Sequence, residues 1–124
     1  MTDVTVDELA RRLGEPGLVL LDVRRAEEFA GQLTAPCDPR PGRIPGARNV
    51  DVALLLGAGD DASVRALVGE PVGSEVIAYC HSGSRSELAV QVLTAAGYAA
   101  RNYPGSWHEW SRDPALPAET GPTG

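Results

Sequence analysis

Lysine is absent: all 11 basic residues are arginine, set against 17 carboxylates for a net charge of −6 at pH 7. Schiff-base chemistry through a lysine is thereby excluded. No basic stripe is available to follow a phosphate backbone, so no nucleic-acid partner is expected. Cysteine is scarce too, with only Cys37 and Cys80, too few for the disulfide framework of a small secreted domain. The two histidines, His81 and His108, show no zinc-ligand spacing, and no metal or organic cofactor is expected. Long hydrophobic runs are missing, since the stretch around Val52 to Leu56 falls far short of the ~20 residues a membrane span needs. The amino terminus has neither a basic nor an apolar signal region, which makes a reducing cytoplasm the expected location.

What is present fits one domain. A 124-residue chain that is 43% hydrophobic and 23% charged is globular in composition, and 14 glycines with 10 prolines imply many turns. Thr5-Val6-Asp7-Glu8 has the Thr-x-x-Glu form of a capping box, followed by Leu9, Ala10 and Leu13 as a short apolar face. Leu18 to Leu21 is a continuous apolar run ending at Asp22, the pattern of a strand buried on both faces. Arg25 to Ala30 reads as a helix. Between Gly31 and Pro45, four prolines and two glycines mark a long excursion carrying Cys37. Ala47–Val50 is a candidate short strand, with short helices at Val52–Leu56 and Ser63–Val68. Glu75–Tyr79 is a second buried strand, Leu88 to Ala96 has helical spacing capped by Gly97, and Ala99–Asn102 suggests a last strand. Strands alternating with helices indicate an α/β domain with a mostly parallel sheet, in which ligands bind beyond the carboxyl ends of strands.

The loop that follows Tyr79 reads Cys80-His81-Ser82-Gly83-Ser84-Arg85-Ser86. It places a thiol between a strand end and a helix start, where unpaired N–H groups and the helix dipole favour an anion. Arg85 adds positive charge. The expectation is a Cys80 thiolate favoured below the usual thiol pKa and acting as nucleophile, against the alternative of a buried, inert cysteine.

Cys80-x-x-Gly83-x-Arg85-Ser86 resembles the active-site loop of rhodanese-like sulfurtransferases, particularly their single-domain members. Leu21-Asp22-Val23-Arg24 with Glu27-Glu28-Phe29 resembles the family's first motif, and Gly42-Arg43-Ile44-Pro45-Gly46-Ala47-Arg48-Asn49 its second, where histidine is usual at the Arg43 position. Pro104-Gly105-Ser106-Trp107-His108-Glu109-Trp110 is similar to the C-terminal motif of two-domain thiosulfate and 3-mercaptopyruvate sulfurtransferases. The resemblance implies a three-layer fold with a central, mostly parallel five-stranded sheet over residues 1–112, leaving 113–124 as an extended tail. It further implies that Cys80 accepts sulfane sulfur from a donor such as thiosulfate or 3-mercaptopyruvate and passes it to cyanide or a thiol. A persulfide relay or sensor serving a cysteine desulfurase or sulfur-carrier protein is the alternative. Phosphatases and arsenate reductases of this fold resemble Cys-x5-Arg, whereas four residues separate Cys80 from Arg85, a tighter cradle that suits one sulfur atom.

Around the nucleophile, the amides of His81, Ser82, Gly83, Ser84 and Ser86 are expected to bind the transferred sulfur or its donor. Asp22 and Arg24 would orient the loop or form a structural pair, and Arg43 with Arg48 would attract an anionic donor or remain surface charge. His81 would donate a proton to the leaving group or point to solvent. Glu28 stands where two-domain thiosulfate enzymes carry an anion-holding arginine, which predicts weak thiosulfate binding. Cys37 would act as a resolving thiol only within bridging distance of Cys80. Trp107 and Trp110 would pack in the core or wall the pocket.

Overall fold

The computed structural model describes residues 2–121. Helix α1 (Val6–Arg12) starts where the Thr5 side chain accepts the Glu8 amide, as the capping motif predicts. Glu8 does not reach back to complete the box: its carboxylate binds Arg101 and Arg12, tying the helix to the sheet edge. The order then runs β1 (Leu18–Asp22), α2 (Ala26–Ala30), β2 (Arg48–Asn49), α3 (Val52–Leu56), α4 (Asp61–Val68), β3 (Glu75–Tyr79), α5 (Ser84–Ala95), β4 (Ala99–Asn102) and α6 (Ser106–Trp110).

The sheet is wholly parallel in the order β2-β1-β3-β4. Four strands form among the described residues where the family resemblance implied five. The amino-terminal segment runs beside β4, but only the Val4 amide donates to the Asn102 carbonyl, and one bond makes no ladder. Expected strand Ala47–Val50 is reduced to two residues, because beyond Asn49 the amides of Val50 and Val52 reach the carbonyls of Asp22 and Val23 as the chain turns into α3.

Both sheet faces are covered, which is why β1 and β3 read as unbroken apolar runs. One face packs Leu21, Val76 and Ala78 against α3, α4 and α5; the other packs Leu20, Ile77 and Tyr79 against Leu9, Phe29, Trp107 and Trp110. Both tryptophans are core residues, and Trp110 Nε1 donates to the Pro117 carbonyl. The stretch after residue 112 crosses this second face as a docked strap. Arg43 and Glu119 exchange backbone hydrogen bonds in an antiparallel bridge, and the Gly121 amide donates to the Ala30 carbonyl. Among the described residues, no helix is long and apolar enough to cross a membrane.

Candidate active site

The β1–β3 register places Asp22 opposite Tyr79, so the end of β1 and the residue before Cys80 share one end of the sheet. There the chain leaves β3 and turns into α5, and the amides of Ser82, Gly83 and Ser86 at this turn face back toward the thiol. Gly83, at φ +98°, makes the turn: a Cβ on it would lie 2.7 Å from the Pro104 carbonyl oxygen, so the backbone approach requires glycine twice over. The Gly83 amide donates to Cys80 Sγ at 3.1 Å and the Ser86 hydroxyl lies 3.4 Å from the same sulfur.

Burial pushes the Cys80 thiol pKa up, but the Ser86 hydroxyl and the main-chain amides of Ser86, Gly83 and Ser82 outweigh it and bring the pKa below the ordinary value. The Ser86 hydroxyl is the largest single stabiliser of the thiolate, and the amides predicted from the loop act beside it. Arg85 is a lesser one, because Glu28 engages it: NH1 to Oε1 is 2.8 Å and NH2 to Oε2 is 3.2 Å. The hydrogen bonds that Arg85 donates to Glu28, together with the Glu28 charge, raise the Arg85 pKa despite some burial, and the Cys80 thiolate adds a smaller increment.

Removing the Ser86 hydroxyl has a definite sign. In Ser86→Ala the thiolate loses a hydroxyl donor that it shares with the Gly83 carbonyl, so the Cys80 pKa rises. Because the reactive thiolate disappears as pH falls through that pKa, the acidic limb of the alkylation rate by iodoacetamide is expected to move to higher pH by the same amount. An unmoved limb would show that the hydroxyl does not serve the thiolate.

Cys80 is 1% exposed, so the sulfur is not open to solvent as a freely reactive thiol would be. A hollow of about 380 Å³ lies on the Arg85 side of the loop, lined by Glu28, Arg85 and the lip Leu33-Thr34-Ala35-Pro36, and the sulfur is not part of its lining.

The sequence reading missed several residues that hold the loop. The Cys80 amide donates to Ser106 Oγ at 3.1 Å, and Ser106, at φ +56°, is the one non-glycine residue with positive φ among those described. A strained, fully buried serine of this kind persists only when its surroundings impose it. The Trp107 and His108 amides donate to the carbonyls of Cys80 and His81, so the start of α6 clamps the loop from behind. Asn102 Nδ2 adds a bond to the Gly83 carbonyl. With Gly105 adjacent, nothing in the sequence distinguished Ser106 as the left-handed residue.

Other expected site residues sit apart from the thiol. Asp22 and Arg24 form a buried pair beneath the loop, with Arg24 bridging to the Gly42 carbonyl and lying over the rings of Tyr79 and Trp107. Arg43 is a correction: 1% exposed, it lies over the Phe29 ring and donates to the carbonyls of Phe29 and Gly121, clamping the strap where a donor-attracting role was expected. Arg48 pairs with Glu70 on the surface. His81 turns away to Asp38, with Nε2 3.0 Å from Oδ2, and Cys37 lies 3.9 Å from the same nitrogen. Ser84 begins α5 beside the cradle.

The rhodanese-like domain model matches residues 5–113. A probable 3-mercaptopyruvate sulfurtransferase of Pseudomonas aeruginosa is 38% identical over 123 residues, covering 91% of this chain and 43% of that protein. A crystal structure of a probable thiosulfate sulfurtransferase matches at a TM-score of 0.81 with 47% identity, over 94% of this chain and 47% of that one. The human single-domain sulfurtransferase TSTD1 matches at 0.67 with 32% identity, over 89% of this chain and 95% of that one. The chain spans less than half the length of the curated relatives it matches first.

Proposed function

The chain belongs to the rhodanese-like domain family, and within it we propose a sulfurtransferase whose Cys80 carries sulfane sulfur as a persulfide. The observation that carries this reading is the sulfur itself, set at the end of β3 and met by the Gly83 amide and the Ser86 hydroxyl. The Cys80 thiolate attacks the outer sulfur of the donor, forming a new S–S bond. The old bond breaks with its electron pair leaving on sulfite from thiosulfate, or on the enolate of pyruvate, which then takes a proton. A thiophile, cyanide or a thiolate, next attacks the terminal sulfur and returns Cys80 as thiolate. The charge of the persulfide sits on its outer sulfur, one S–S bond of about 2.0 Å beyond Sγ, where further amides of the loop would meet it.

Access requires the mouth of the loop to open, and the part-buried Glu28–Arg85 pair beside the hollow is the contact that has to part. The same pair favours a second reading. With Glu28 neutralising Arg85, little free positive charge remains to hold a small dianion, which suits a relay fed by a protein persulfide, such as that of a cysteine desulfurase, over a thiosulfate enzyme. Intact-mass measurement after separate incubation with thiosulfate and 3-mercaptopyruvate, paired with steady-state turnover to cyanide, tests both. A gain of one sulfur with rapid turnover supports the metabolic reading, and a gain without turnover the relay. Persulfidation by neither donor nor a desulfurase would overturn both.

A further inference from the structure

Beside the catalytic loop, on the side His81 faces, four potential ligands from three distant parts of the chain converge: Cys37 Sγ, Asp38, His81 and His108, with one donor atom from each within 4.8 Å of all the others. We propose that these four residues bind one divalent transition-metal ion of the zinc type.

The chemistry of the set is the first argument. Thiolate, two imidazoles and a carboxylate are the ligand types of a borderline-soft ion, whereas calcium or magnesium would draw oxygen ligands alone. Geometry is the second. Bond lengths of about 2.0–2.3 Å in a tetrahedron set ligand-to-ligand edges of roughly 3.3–3.6 Å. Here the edges are 3.9 Å from Cys37 Sγ to His81 Nε2, 3.8 Å from Cys37 Sγ to Asp38 Oδ1, 3.1 Å from His81 Nε2 to Asp38 Oδ1, and 3.7 Å from His108 Nδ1 to the same oxygen. The two remaining edges lie within 4.8 Å, so the set closes on an ion with shifts of up to about 1 Å.

A third observation is independent of that spacing. His108 Nδ1 is shut away from solvent without a hydrogen-bond partner, although its ring is half exposed, and it points into the cluster. A buried nitrogen lone pair left unmet is costly, and a metal bond satisfies it. The framework is braced as well: the His108 amide donates to the His81 carbonyl, and Arg112 donates to the Cys37 carbonyl at 2.6 Å. The Arg112 guanidinium lies 3.9 Å from Asp38 Oδ1 while its NH2 stays bound to the Cys37 carbonyl, so it adds a positive charge beside the site that the Cys37 thiolate and the Asp38 carboxylate offset when the ion enters. Cys37 is exposed, so the ion has a path in, and binding releases the Cys37 thiol proton to water.

Such an ion would staple the Gly31–Pro45 excursion to the residue after Cys80 and hold Cys37 as a metal thiolate, unavailable to attack a persulfide. This conclusion does not rest on the sulfur-transfer reading. The test titrates the full, reduced chain with zinc against a chromophoric chelator, with native mass spectrometry for stoichiometry and cobalt(II) as spectroscopic probe. One zinc per chain is expected, with intense tetrahedral cobalt bands and a thiolate-to-cobalt charge-transfer band. Cys37→Ser should remove the charge-transfer band, and Cys37→Ser and His108→Ala should each weaken zinc at least about 100-fold, beyond the cost of losing an outer-shell partner. Cys80→Ser should bind as the unaltered chain does. Absence of stoichiometric binding, octahedral cobalt spectra, or loss of binding in Cys80→Ser with retention in Cys37→Ser would each overturn the site. Circular dichroism of each variant identifies any that fails to fold, and either ligand variant suffices for the test.

Discussion

A Cys80→Ser variant is expected to show no sulfur gain in intact mass with any donor and to lose turnover by at least about 10⁴-fold, the scale on which removal of a covalent nucleophile acts. The size follows from chemistry the loop cannot replace. A serine hydroxyl at the same point would meet the Gly83 amide and Ser86 hydroxyl, but it is not ionised near neutral pH and forms no stable bond to sulfane sulfur. Folding should survive, because the thiol is buried in a site that an oxygen of similar shape can fill with both donors still satisfied. Peptide mapping of the unaltered chain should place the persulfide on Cys80. A persulfide found only on Cys37, or full persulfidation of Cys80→Ser, would transfer the chemistry to the exposed thiol and defeat the assignment.

The parallel core was legible because burial on both faces leaves a short unbroken apolar run: Leu18 to Leu21 and Glu75 to Tyr79 each stand as a strand over the expected residues. The thiol was legible for a similar local reason, since Cys80, Gly83 and Ser86 lie within seven residues and their geometry follows from one strand-to-helix turn. What the sequence hid depends on tertiary approach. The partner of Arg85 is 57 residues away in Glu28, and it converts an expected free charge into half of an ion pair. Arg43 looked like a surface cation because nothing local says that Glu119 and Gly121 will return to cover it. The meeting of Cys37 and Asp38 with His81 and His108 has no sequence spacing at all, since the four residues come from the excursion, the catalytic loop and α6.

Asp22→Ala is expected to be the most destabilising single change near the site, costing about 3–5 kcal/mol and lowering Tm by roughly 10–20 °C for a domain of this size. Asp22 is fully buried and accepts the Arg24 amide at 2.9 Å, Arg24 Nε at 3.0 Å and Arg24 NH2 at 2.7 Å. Burial works against the Arg24 charge, and the hydrogen bonds and charge of Asp22 more than reverse that, holding the guanidinium protonated. With the carboxylate gone, Arg24 remains charged in a dry site with the Gly42 carbonyl as its hydrogen-bond acceptor, the faces of Tyr79 and Trp107 over it and the charge of Glu28 at longer range. Two companions separate an uncompensated charge from simple loss of packing. Asp22→Asn keeps the shape and one acceptor, and should fall between the parent and Asp22→Ala. Asp22→Leu combined with Arg24→Met removes both charges, leaves the Gly42 carbonyl and the backbone amide of residue 24 without their partners, and should recover part of the loss, because a buried ion pair is often matched by apolar residues of similar volume. Thermal unfolding of the three variants decides the matter: if the double variant is no more stable than Asp22→Ala, the cost lies in packing and the buried charge is not its cause. Because Tyr79 and Trp107 also adjoin the Cys80 backbone, the first through the chain and the second through its amide bond to the Cys80 carbonyl, folded Asp22→Ala should also persulfidate more slowly, with its cradle less firmly held.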